Sequence, residues 1–200
     1  MKISTALAAI GATLFMTACG NELDSLPGLW EGTPVTLGAV SQMNSTANIS
    51  MEFNTSPGNG HTGTVTLRAL INMEEATVPQ FDGMVESYAL NVAGTAMMNG
   101  KYAIVDDDEV AITLDPTSLT VNVDPQAIKY QSNIFTESQK PTVDSLLPAA
   151  ASHLASVIRP QISREFLQYS MLDDVKIKNG DIMSCEIADR DYTFRKIATE

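Results

Sequence analysis

Apolar and polar side chains alternate one for one through most of this chain, and no other feature limits its fold so strongly. Ile49, Met51 and Phe53 alternate with Ser50, Glu52 and Asn54, and Val65, Leu67, Ala69 and Ile71 alternate with Thr64, Thr66 and Arg68. Neighbouring side chains on a strand point to opposite faces, so a period of two makes a strand with one apolar face to bury. Turn-forming segments separate these runs. "SPGNGHTG" predicts a turn after Asn54. Asn99-Gly100 predicts a hairpin joining "YALNVAGTAMM" to "KYAIV", and Asn179-Gly180 one joining "DVKIK" to "DIMSCEI". Asn-Gly suits a two-residue turn because both central positions need positive φ. Asp106 to Asp108 predicts a tight connection into "EVAITL", and "DPTS" leads on to "LTVNV". Links this short pair sequence neighbours as antiparallel partners, so the sheet is expected to be a meander.

One segment follows a different rhythm. Val143, Leu147, Ala150, Leu154, Ile158, Ile162 and Phe166 recur every three or four residues, which predicts a helix over residues 142–171. Asp144 or Ser145 can cap it, with Pro148 in the first turn where a missing N–H costs little. Pro160 lies inside the pattern and predicts a kink or a division into two helices. Strands resume after Asp173-Asp174 and end with "DYTFRKI". Residues 38–46 and 74–85 read as longer loops, and residues 126–140 show no clean period.

The first residues read as an address. Met1-Lys2 precedes an apolar run from Ile3 to Ala18, the profile of a secretory signal peptide and too short for a membrane span. Met16-Thr17-Ala18-Cys19 resembles the bacterial lipobox, with Met in place of the usual Leu. That resemblance implies cleavage after residue 18 and a lipid on Cys19. Each buried methylene adds about 0.8 kcal/mol of membrane affinity, and two or more acyl chains hold a protein stably. Residues 19–25 then form a tether, and residues 26–200 one folded domain. Gly20 stands where an Asp marks retention in the inner membrane, so the resemblance implies an outer-membrane anchor in the cell envelope, periplasmic or surface-facing.

Beyond the leader, eleven basic residues face 24 acidic ones, a formal charge of −13. So acidic a chain is repelled by nucleic acid and by anionic lipid surfaces, and it is not expected to bind either electrostatically. With Cys19 lipidated, Cys185 stands alone and reads as a small buried hydrophobe. His61 and His153 have no zinc-like spacing, and no metal or cofactor is expected. Asp106 to Glu109 lacks the spacing of a calcium loop, and a solvated turn is the simpler reading. No nucleophile elbow, zinc-protease pair or phosphate-binding glycine loop occurs, and His61 lies in a loop, so the chain is not expected to be an enzyme.

Gly28-Leu29-Trp30, followed by the hairpin series and by a late helix before the final strands, resembles the lipocalin-like families. The resemblance covers residues 26–200. It implies a mainly β domain, an antiparallel meander barrel, closed or half-open, with a helix packed on it; a two-sheet sandwich is the other arrangement such strands allow. It also implies that Trp30 packs at the closed barrel end beneath an arginine from a late strand, Arg195, with Arg190 as the less favoured counterpart. By the same resemblance the barrel binds a small apolar or amphiphilic molecule. Met51, Tyr88, Leu90, Met97 and Tyr102 are the candidate ligand-binding residues, since methionine adapts to irregular apolar surfaces. Core filling is the plainer reading of those methionines. The other reading is an interaction or structural accessory subunit of an outer-membrane assembly, with a filled interior and an envelope protein as partner.

Overall fold

A computed structural model of the chain describes residues 22–37, 44–77, 89–129, 138 and 140–198. Among them the alternating runs form β1 (Gly28–Gly32), β2 (Val35–Leu37), β3 (Asn44–Ser56), β4 (Asn59–Thr77), β5 (Ala89–Asp106), β6 (Glu109–Leu114), β7 (Thr120–Val123), β8 (Met171–Lys178), β9 (Ile182–Glu186) and β10 (Asp191–Ile197). A helix, α1 (Lys140–Gln168), lies between β7 and β8. Their order around the wall is β1-β10-β9-β8-β6-β5-β4-β3, and β1 pairs back onto β3, closing an antiparallel barrel of eight strands. Closure excludes the sandwich. β2 continues the line of β1 along β3, and β7 continues the line of β6 along β5.

The alternation in sequence becomes the inside and outside of this wall. Ala47, Ile49, Met51 and Phe53 of β3 face Ile71, Ala69, Leu67 and Val65 of β4 in register, and all are buried. Met98, Ala96 and Val92 extend this inner face onto β5. Each such large side chain taken out of water stabilises the fold by roughly 1.5–3 kcal/mol. Two turns follow the expected chemistry. Pro57-Gly58 closes the β3–β4 hairpin, with Gly58 at φ 79°, and Asn179 and Gly180 both take positive φ between β8 and β9.

Asn99-Gly100 is not a turn. β5 runs straight through it, pairing Asn99 with Thr66 and Gly100 with Val65. The break lies instead in the neighbouring line of strands. β6 ends at Leu114 opposite Gly100, β7 begins at Thr120 opposite Met97, and a short 3-10 turn, Pro116–Ser118, bulges out between them. Ser118 Oγ and the Asp115 N–H bind the backbone of Asn99 across that bulge, at 2.9 and 2.8 Å. A Cβ on Gly100 would lie 2.7 Å from the Thr113 carbonyl oxygen, so this glycine serves close strand approach.

α1 starts two residues earlier and ends three residues earlier than its periodicity predicts. Asp144 and Ser145 therefore lie within the helix instead of capping it, and Pro148 lies in its interior, where Ser152 Oγ donates to the Pro148 carbonyl at 3.0 Å. The element is not divided at Pro160. Leu154, Ile158, Ile162 and Phe166 are buried on both sides of that proline, and this shared burial outweighs the lost hydrogen bond. The helix packs against β7 and also reaches β2 and β5, and Arg159 Nη2 donates to the Leu119 carbonyl at 2.7 Å just before β7.

Candidate functional site

The two barrel ends differ. At one end the β3–β4, β5–β6 and β8–β9 turns gather with the start of β1. There a 3-10 turn, Glu22–Ser25, leads into β1 and touches β8, which lies three strands away around the ring. It thus crosses the mouth, burying Leu23 and Leu26. Trp30 lies beneath it, 0% exposed, and its Nε1 donates to the Leu26 carbonyl at 2.7 Å. Lys196 Nζ lies 5.0 Å from the centre of the Trp30 ring and donates to the Ser25 carbonyl at 2.7 Å. Partial burial holds this ammonium below the ordinary lysine range.

The cation over Trp30 is therefore Lys196, and Arg195, the residue expected there, is exposed. Trp30 pairs with Lys196 across β1 and β10, whereas Arg195 pairs with Glu31 on the opposite face. One residue of register moves a side chain through the wall. The signal is present in "DYTFRKI": Tyr192 and Phe194 alternate inward, and Lys196 is next on their face. Gly28, at φ 130°, makes room for it, since a Cβ there would lie 2.6 Å from Lys196 Cε. Arg190 is exposed at the β9–β10 turn, at the other barrel end.

Of the candidate ligand residues, Met51 and Tyr102 lie in the barrel interior and Met97 on its outer side. Met51 is 0% exposed and pairs with Trp30 in the barrel interior. Tyr102 is buried, meeting Phe53 edge to face with ring centres 5.2 Å apart, and its hydroxyl has no hydrogen-bond partner among the described residues. Its ring covers Gly63, its cross-strand partner. Met97, one position from the inward-facing Met98, lies half-buried on the outer side of β5. Tyr88 and Cys19 lie outside the described residues; Leu90 is placed by its backbone pairing with Ala76.

An apolar hollow does exist, on the outer side of the wall at the far end. It has a volume of about 320 Å³ and lies over β4, β5 and β7, with Leu70, Ala93, Gly94 and Ala127 as its apolar surface. Asn72, Asn122 and Asp124 add polar groups. Leu70 is 58% exposed there. A second hollow of about 300 Å³ adjoins it, sharing Asn72, Ala93 and Ala127 and adding Glu74 and Lys129. Alternation hides such a site, because Leu70 breaks the polar side of β4 by one residue only.

Other chemistry-bearing groups stand apart. His61 is exposed beside the β3–β4 turn, where its backbone N–H donates to Asn59 Oδ1. His153 is exposed on α1, and Ser156 Oγ donates to its carbonyl, at 2.6 Å, and not to its imidazole. Asp106 to Glu109 form the β5–β6 turn, with Asp107 N–H donating to Asp106 Oδ1. No group of three or more His, Cys, Asp or Glu is placed to hold a metal among the described residues. Burial pushes the Cys185 thiol up to about 12, reinforced by Asp173, so it is not a reactive thiolate at neutral pH. At the last turn of α1, burial raises the Glu165 carboxyl despite Arg190 nearby. Compared with known proteins, the chain matches no family model, and no curated protein matches it.

Proposed function

We propose that this chain is an outer-membrane lipoprotein, anchored through Cys19, whose lipocalin-like barrel binds a small apolar or amphiphilic molecule. It acts by binding and not by catalysis. One observation carries the ligand reading: the outer hollow beside Leu70 has the size of a small-molecule site and its character, mostly apolar with a few placed polar groups. The apolar part of a ligand rests on Leu70, Ala93 and Ala127, and its polar end meets Asn122, Asn72 or Asp124. Met51 and Tyr102 support the wall instead of touching the ligand, because both are packed in the core.

The exposure of Leu70 also favours a second reading, an accessory subunit that docks an envelope protein on this face, with Met51, Leu67 and Met98 buried among the described residues of the interior. Titration of the mature protein with a neutral apolar dye, together with native mass spectrometry of what co-purifies, separates the two. Saturable uptake that Leu70→Asp abolishes, with an unchanged urea midpoint, is the outcome expected of a ligand site. A clean apo mass with no dye uptake sinks the ligand reading and leaves the docking one.

A further inference from the structure

We propose that the barrel stands on its sealed end, with the Glu22–Ser25 turn and the β3–β4, β5–β6 and β8–β9 turns against the lipid headgroups and the Leu70 hollow held on the wall at the end away from the membrane. This orientation rests on the acylation of Cys19 proposed above. It follows from where the chain first becomes fixed. Leu23 and Leu26 are 1% and 0% exposed, and Trp30 Nε1 and Lys196 Nζ hold the carbonyls of Leu26 and Ser25 at 2.7 Å each. The tether therefore ends at Leu23, on the sealed face. Cys19 is four residues before it, and four extended residues span at most about 14 Å.

The barrel is much longer than that tether. His61, near the β3–β4 turn, and Glu74 lie on β4 thirteen residues apart. At ~3.3 Å per residue this is about 43 Å of strand. With strands tilted ~40° it is still about 33 Å along the barrel axis. A tether of about 14 Å fixed at the sealed end cannot let the barrel stand on its Glu74 end, which would hold Leu23 about 33 Å above the headgroups.

Attraction does not set this geometry. Asp24, Asp106, Asp107, Asp108 and Asp181 are all exposed around the sealed end, and anionic headgroups repel them. The contact is enforced by a short tether against mild repulsion. The mature domain carrying Cys19→Ser is accordingly expected not to sediment with phosphatidylglycerol-containing vesicles.

The test uses the full chain, processed in cells and reconstituted into vesicles of phosphatidylethanolamine and phosphatidylglycerol. His61→Cys and Glu74→Cys each carry one dye, read against a contact quencher on the lipid headgroup. Cys185, 4% exposed and with its thiol raised, is expected to take up no dye in the native state, which the unsubstituted protein checks. Asp107→Cys and Asn122→Cys, both at exposed positions, repeat the comparison on another part of the wall. The expected result is loss of most fluorescence at residues 61 and 107 and none at 74 and 122. Equal or reversed quenching on protein whose mass shows the acyl chains overturns the orientation alone. A mature mass without acyl chains overturns the anchor and the orientation together.

Discussion

Lys196 and Trp30 are cross-strand partners, and the ammonium of the first lies 5.0 Å from the ring centre of the second while holding the Ser25 carbonyl above it. The pair joins the first strand, the last strand and the segment that seals the barrel. Lys196→Met keeps the aliphatic stem and removes the charge. It is expected to cost about 1 kcal/mol, the scale of a partly desolvated cation–π contact. Urea unfolding followed by Trp30, the only tryptophan, reads this directly. Arg195→Met serves as the control and is expected to leave the midpoint unchanged, because Arg195 is exposed on the opposite face. The reverse ranking would sink this account of the seal.

Gly63 and Tyr102 make a second cross-strand pair, in which the ring occupies the space a side chain would take. A Cβ on Gly63 would lie 2.0 Å from the Asn54 carbonyl oxygen and 2.5 Å from Tyr102 Cε1. Gly63→Ala is expected to destabilise the barrel by about 2–3 kcal/mol, as overpacking does. Tyr102→Phe removes a buried hydroxyl that has no partner among the described residues, and is expected to be neutral or to stabilise by up to about 1 kcal/mol. Thermal melts of both variants check the pair. A large loss in Tyr102→Phe would show that the hydroxyl has work in this barrel.

Gln161 is the other polar side chain of interest on the core side. It is 5% exposed on the buried face of α1, and neither its Nε2 nor its Oε1 has a hydrogen-bond partner among the described residues. A buried amide left unpaired costs on the order of 1–3 kcal/mol. Gln161→Leu keeps the approximate volume and is expected to raise the urea midpoint, by about 1 kcal/mol in stability. A lowered midpoint would mean that the amide is satisfied in solution, by water held between helix and wall.

Glu165 makes stability depend on pH. Burial raises its carboxyl above the unfolded value of 4.5, and the Arg190 charge only partly opposes this. The native state then binds more protons than the unfolded chain between the two values, so this contribution is fully present below pH 4.5 and lost as pH rises through the folded value. Glu165→Gln is expected to flatten that part of the profile, seen in urea midpoints collected from pH 4 to pH 7. An unchanged slope would assign the pH dependence to other carboxylates.

Much of the wall was legible because alternation is local. Ile49 through Phe53 and Val65 through Ile71 follow from one chemical rule, the burial of one face of a strand, and both runs lie on the inner side of β3 and β4. Asn179-Gly180 was legible for the same reason, since both residues take the positive φ that their side chains tolerate. Asn99-Gly100 carried the same local signal and lies within β5, because strands on both sides hold its backbone in a ladder. Pro160 signalled a break, and burial of Ile158 and Ile162 around it kept α1 in one piece.

The sequence by itself determined which residues alternate, where the long helix lies and that neighbouring strands run antiparallel, because each depends on side chains within a few positions of one another. Only the tertiary structure decided that β1 closes onto β3, that Lys196 and not Arg195 covers Trp30, and that Met98 faces inward while Met97 faces outward. The physical reason is register. A strand's pattern says that its two faces differ, but a shift of one residue exchanges them, and only pairing with strands far away in the chain selects which face lies inside.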